Sequence, residues 1–143
     1  MIQRIQSVYL VMATVSSGVM IFLLNLWNNR ITDIKAYDLL FQNDISLTLV
    51  PVLFVLSAFV SFVTIFKFKN RKLQMKLGRL TILINLILLG LFVYLLQTLS
   101  GEASVSEKDI GMFLPLLTIL LVLLANRAIK KDEDLVKSVD RLR

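Results

Sequence analysis

FKFKNRKLQMKLGRL, residues 66–80, carries Lys67, Lys69, Arg71, Lys72, Lys76 and Arg79 and no acid. Two readings compete: a nucleic-acid patch, or the cytoplasmic turn between two membrane spans. Its flanks decide between them. Residues 45–66 on one side and 80–101 on the other contain no Lys, Arg, Asp or Glu, and neither do residues 8–29 and 110–126. A helix needs about 20 apolar residues to cross a bilayer, with a range of roughly 17–25. All four stretches qualify. The last is at the short limit, and it gains Ala128 and Ile129 if Arg127 snorkels to the interface.

Hydrocarbon offers no water to backbone amides, so such stretches must be helical. The expected fold is an all-α integral membrane protein, a four-transmembrane-helix bundle with spans at about 8–27, 45–66, 80–99 and 110–129. It forms a single membrane domain over residues 1–143, ending in a short cytoplasmic amphipathic helix at 130–143. Composition agrees: of 143 residues, 57% are hydrophobic and 18% charged, against about 25% charged in soluble domains. The first stretch reads as a retained span. Its apolar run exceeds the roughly 7–15 residues of a signal-peptide core, and no A-x-A-like cleavage site follows.

Lys and Arg number thirteen on residues 1–7, 67–79 and 127–143 together, against three on 30–44 and 102–109. Cytoplasmic loops hold the excess of such residues, which predicts both termini and the middle turn inside. The net charge of +6 then lies beside anionic headgroups, each basic residue adding about 1 kcal/mol of attraction. Nucleic-acid binding needs a basic surface with readout elements; a short loop pinned at both ends supplies none. The contacts expected with lipid headgroups or a partner are Arg4, Lys67, Lys69, Arg71, Lys72, Lys76, Arg79, Arg127 and Arg141, with Gln74, Asp134 and Asp140 on the same face. Asn70 is placed to cap a helix in which Leu73, Leu77 and Leu80 form an apolar stripe.

Within the spans, Ala13 with Ser17, Thr14 with Gly18, and Ser57 with Ser61 repeat small residues four apart, a spacing that lets helices approach closely. Asn85 is the buried amide that most needs a partner, and an interhelical polar contact is expected there. Pro51 and Pro115 predict kinks near the outer ends of their spans. Asp44, and Ser106 with Asp109, are placed to cap helices. Ile34, Tyr37, Leu40 and Phe41 suggest a short helix in the first outer loop. In the tail, Leu135, Val136, Val139 and Leu142 share a face and Glu133 pairs with Lys137 four residues on. Asp132, Glu133 and Asp134 read as a solvated helix face.

The chain has no cysteine and no histidine, which removes disulfide and thiol chemistry and the usual haem and copper ligands. No ionisable residue lies mid-span, where proton relays and coupled transporters keep one. The five glycines are scattered and form no phosphate cradle. No enzymatic activity, cofactor or metal is expected.

Three blocks, MIQRIQSVYL at residues 1–10, KNRKLQMKLGRLTILINL at 69–86 and NRAIKKDEDLVKSVDRLR at 126–143, resemble a family of small four-span inner-membrane proteins of Bacteroidota, domain of unknown function 4293. The resemblance implies a Gram-negative inner membrane and brings no activity or catalytic residue with it. The expected function is an accessory subunit, assembly factor or scaffold that meets other membrane subunits through its basic face. One alternative is an oligomeric channel or uncoupled carrier lined by Asn85, Gln97, Ser57 and Ser61. Another is a lipid-interacting protein of the cytoplasmic leaflet.

Overall fold

A computed structural model of the chain describes residues 3–19, 27–29, 32–34, 45–99, 107–108 and 110–141. Helices dominate: α1 (Gln3–Gly18), α2 (Ile45–Phe66), α3 (Arg71–Leu99) and α4 (Leu114–Arg141). Three of them, α2, α3 and α4, are long and apolar enough to cross a membrane. Residues 20–26 of the expected first span lie outside the described residues, as do the expected capping residues Asp44, Ser106 and Asp109.

The turn at 67–69 is built by backbone bonds from Lys67 N to Thr64 O (3.3 Å) and from Asn70 N to Lys67 O (3.0 Å). Asn70 caps α3 as its position predicts. Its side-chain oxygen accepts from Leu73 N at 3.2 Å, satisfying one of the amides that a helix start leaves orphaned. Pro51 is buried inside α2, which runs through it from Ile45 to Phe66. Pro115 does not interrupt a longer helix. A 3₁₀ segment, Ile110–Phe113, leads in, and the proline falls in the first turn of α4, where its missing N–H costs nothing.

The helices pack in cyclic order, α1 against α2 and α4, and α3 against the same two. Each buries a stripe with alternating steps of three and four: Gln6, Leu10, Ala13 and Ser17 on α1; Leu47, Val50, Phe54, Ser57, Ser61 and Thr64 on α2; Gln74, Thr81, Asn85, Leu88, Phe92 and Leu95 on α3, with Gly78 also buried; Thr118, Val122, Ala125, Ile129 and Asp132 on α4. This is the seam spacing of helices crossing at about 20°. Half of it is polar. The large apolar side chains point out instead, among them Val55, Phe59, Phe62, Leu83, Ile87, Leu120 and Leu124. Water would penalise that arrangement; lipid tails, as apolar as leucine, do not. Leu73 and Leu80 follow the same rule. They are exposed, and the buried face of their helix is Gln74, Gly78 and Thr81.

At one end an apolar cluster forms from Leu47, Val50 and Phe54 with Leu88, Phe92, Leu95, Met112 and Leu114. The Phe54 and Phe92 rings there are tilted, with centroids 6.1 Å apart. The same end carries a small antiparallel sheet ordered β2-β1-β3, made of β1 (Trp27–Asn29), β2 (Thr32–Ile34) and β3 (Glu107–Lys108). Trp27 pairs with both Ile34 and Lys108. Trp27 therefore sits in a strand rather than at a helix end, and Ile34 is not in the expected surface helix. Trp, Thr and Ile favour a pleated backbone, and the second loop supplies a ladder partner that local spacing does not reveal. Tyr37, Leu40 and Phe41 lie outside the described residues. The pairing joins strand residues that flank or belong to the two expected outer loops, at the end opposite the α2–α3 turn.

Candidate functional site

The basic end is where the three sequence blocks meet. From the first block, Gln6 Nε2 donates to Ala128 O in the third at 3.1 Å. From the middle block, Arg71 Nη2 lies 2.9 Å from Asp132 Oδ2, and Nη1 reaches the Asp132 carbonyl at 3.5 Å. The contact is a charge pair more than an aligned hydrogen bond, since Oδ2 accepts none of good geometry. Gly78 touches the Asn126 side chain, so closely that a Cβ at 78 would stand 2.8 Å from Asn126 Nδ2. Gln74 Nε2 donates to Thr64 O at 3.3 Å and locks the turn.

These contacts correct one expectation. Asp132 is not on a solvated face: it is buried and paired with Arg71. Gln74 is buried and bonded inside the chain, and Arg71 is half-buried beside Asp132. Lys67, Lys69, Lys72, Lys76, Arg79, Arg127 and Asp134 are exposed. The side chains of Arg4, Asp140 and Arg141 lie outside the described residues. Asp132 could have been found from sequence by extending the stripe of Ala125 and Ile129 one further step.

Deeper in, Asn85 finds the interhelical partner expected of it. Its amide donates to Ser57 Oγ at 2.6 Å and to Thr81 O of its own helix at 2.8 Å. Ser16 and Thr118 share a second interhelical bond of 2.8 Å between α1 and α4. Among the described residues, Ser61 Oγ and the Oδ1 atoms of Asn85 and Asn126 are buried without a hydrogen-bond partner. The small-residue pairs sit in the packing seam: Ala13, Ser17, Ser57 and Ser61 are buried, and a Cβ on Gly18 would stand 3.1 Å from that of Ala58. Gln97 is exposed and does not join the interior polar groups.

On the tail, Lys137 Nζ lies 2.8 Å from Glu133 Oε1, the pair that the spacing predicts. The hydrogen bond from Lys137 holds the Glu133 carboxyl below its ordinary pKa of 4.5; partial burial opposes this, and the charges of Lys137, Lys72 and Arg71 assist. A lowered carboxyl pKa stabilises the fold above the unfolded value, and that contribution fades as pH falls through the folded value. Lys137→Ala is expected to move the Glu133 carboxyl titration upward, read by carbon NMR of labelled glutamate. An unchanged titration would mean that the pair is absent in solution.

A family model described as Domain of unknown function (DUF4293) matches residues 2–142. No curated protein and no solved structure matches the chain.

Proposed function

We propose, from the premise that this chain belongs to the DUF4293 family, that it is a non-enzymatic four-span protein of a bacterial inner membrane, with both termini cytoplasmic, serving as a subunit, assembly factor or scaffold of a larger membrane complex. One observation carries the reading. Arg71 is the first residue of α3 and pairs with Asp132, so the last turns of α4 run on past the end of α3. On them Leu135, Val136 and Val139 are exposed, Val139 by 66%. Lys130, Lys131 and Lys137 are exposed on the same stretch of helix. An apolar strip held clear of its own helices, in a polar segment, suits a partner helix or loop.

The channel alternative has less support. Asn85, Ser57 and Ser61 are interior, yet the outer half of the same seam closes with Leu88, Phe92 and Leu95. Purification of the full chain from its own membrane in mild detergent is the test. A stoichiometric partner polypeptide is expected, and Leu135→Asp with Val139→Asp should release it while leaving the chain folded. A clean monomer or homodimer in native nanodiscs overturns the proposal.

A further inference from the structure

A cleft of about 670 Å³ lies between α1 and the α2–α3 turn. Val8, Ile65, Phe66 and Phe68 form its apolar wall, and Gln6, Gln74 and Arg71 its polar end. Its volume falls within the roughly 300–1,000 Å³ of small-ligand sites. We propose that the cleft holds one anionic phospholipid, with the phosphate on Arg71 and one acyl chain along Val8, Ile65, Phe66 and Phe68. The proposal rests on the membrane reading above and goes beyond it, because bulk lipid needs no fixed site.

Three observations select this occupant. First, Arg71 is the one charged residue in the lining among the described residues, and the chain beside it adds Lys67, Lys69 and Lys72 and no acid. A headgroup is favoured there and an acidic peptide is not excluded by charge alone. The wall settles that choice, because a side-by-side run of aliphatic and aromatic groups ending at a cation matches an acyl chain ending in a phosphate. Second, Val8, Phe66 and Phe68 are each more than half exposed. The Phe66 ring is held edge-on to Phe62, with centroids 4.9 Å apart, so the wall stands preformed. Third, the Arg71 side chain remains 25% exposed beside Asp132. A guanidinium carries five N–H donors in a planar fork; Asp132 meets Nη2 at 2.9 Å and Nη1 only at 3.5 Å, which leaves donors over. Asp132 thus anchors the fork at the N-terminal, positive end of α3. Gln6 and Gln74 are fixed by their bonds to Ala128 O and Thr64 O and form a rigid polar floor.

The test uses the full chain in neutral detergent, followed by native mass spectrometry. It is titrated separately with phosphatidylglycerol, with phosphatidylcholine of the same chains, with diacylglycerol and with inorganic phosphate. One retained phosphatidylglycerol per chain is expected, binding at least tenfold more tightly than phosphatidylcholine, with diacylglycerol and phosphate each weaker still. Val8→Trp, which fills the wall and leaves the Arg71–Asp132 pair intact, should weaken retention at least tenfold. Arg71→Gln with Asp132→Asn removes both charges together and should abolish the preference for the anionic lipid. Lys76→Gln with Arg79→Gln, outside the lining, should leave the retained copy in place. Equal retention of both phospholipids, tight binding of phosphate alone, a bound peptide in place of lipid, or an unaltered Val8→Trp each overturns the proposal. A chain that will not enter detergent or nanodiscs fails the membrane reading instead.

Discussion

Arg71→Ala is expected to cost about 2–3 kcal/mol of folding stability in detergent, and Asp132→Ala only about 1. Removing one partner of a fully buried pair costs about 3–5 kcal/mol; here the Arg71 side chain is 25% exposed, which discounts the figure. The asymmetry follows from what each change leaves behind. Without Arg71, a carboxylate stays buried between α3 and α4 with no cation against it. Without Asp132, the guanidinium can swing toward solvent on its aliphatic stem. Asp132→Asn in the Arg71→Ala background removes the stranded charge and should recover most of the loss. A double-mutant cycle from chemical unfolding reads this directly, and additive losses would show that the pair does not couple. The same change should release the end of α4 from α3, which limited proteolysis after Lys130 and Lys131 would register as faster cleavage.

That pair also marks where the sequence could and could not be read. The helical segments were legible because the charge-free stretches have the length of a bilayer, and α2 begins and ends where its stretch does, at Ile45 and Phe66. Asn70 was legible as a cap because the mechanism is local. Asn85 was legible as a contact because an amide in an apolar run must find a partner. The inward face was harder. Leu73, Leu77 and Leu80 form the conspicuous apolar stripe of α3, yet Gln74, Gly78 and Thr81 are the buried face. The habit of putting the greasiest face inside comes from water. With lipid outside, close packing of small and polar groups decides the seam, and one heptad track then carries Gln74, Thr81, Asn85 and Leu88 alike.

The sheet and the ion pair were hidden for another reason. Asn28 pairs with Glu107, and Arg71 with Asp132, across distances in the chain that no local spacing encodes. Those same long-range contacts give the three sequence blocks a common physical role. Gln6 to Ala128, Gly78 to Asn126 and Arg71 to Asp132 tie the first, middle and last blocks into one end of the molecule. Residues Lys76, Arg79 and Arg127 on those blocks stay exposed, which leaves the joined end decorated with cations and free to act on its surroundings.

Gly78→Leu should be the most damaging single change inside the membrane-like region, at about 3 kcal/mol, with Gly78→Ala nearer 1. Gly78 is buried on the α3 seam, and its missing side chain is what admits Asn126 from α4. An alanine Cβ would meet the Asn126 amide at 2.8 Å on Nδ2 and 3.0 Å on Cγ. The amide is the end of a short side chain, so it can turn aside at modest cost. A leucine adds three carbons behind that Cβ and forces α3 and α4 apart, because backbone cannot give way as a side chain does. Asn126→Ala alone should be close to neutral, since its Oδ1 has no hydrogen-bond partner to lose among the described residues. Combined with Gly78→Ala it should relieve the clash, so the double variant is expected to be more stable than Gly78→Ala by itself. Separation of the helices can be read independently. The chain has no cysteine, so spin labels at Lys76→Cys and Lys130→Cys report the α3–α4 distance against a clean background. Gly78→Leu should lengthen and broaden that distance, and an unchanged distance with unchanged stability would show that Asn126 does not occupy the space that Gly78 leaves.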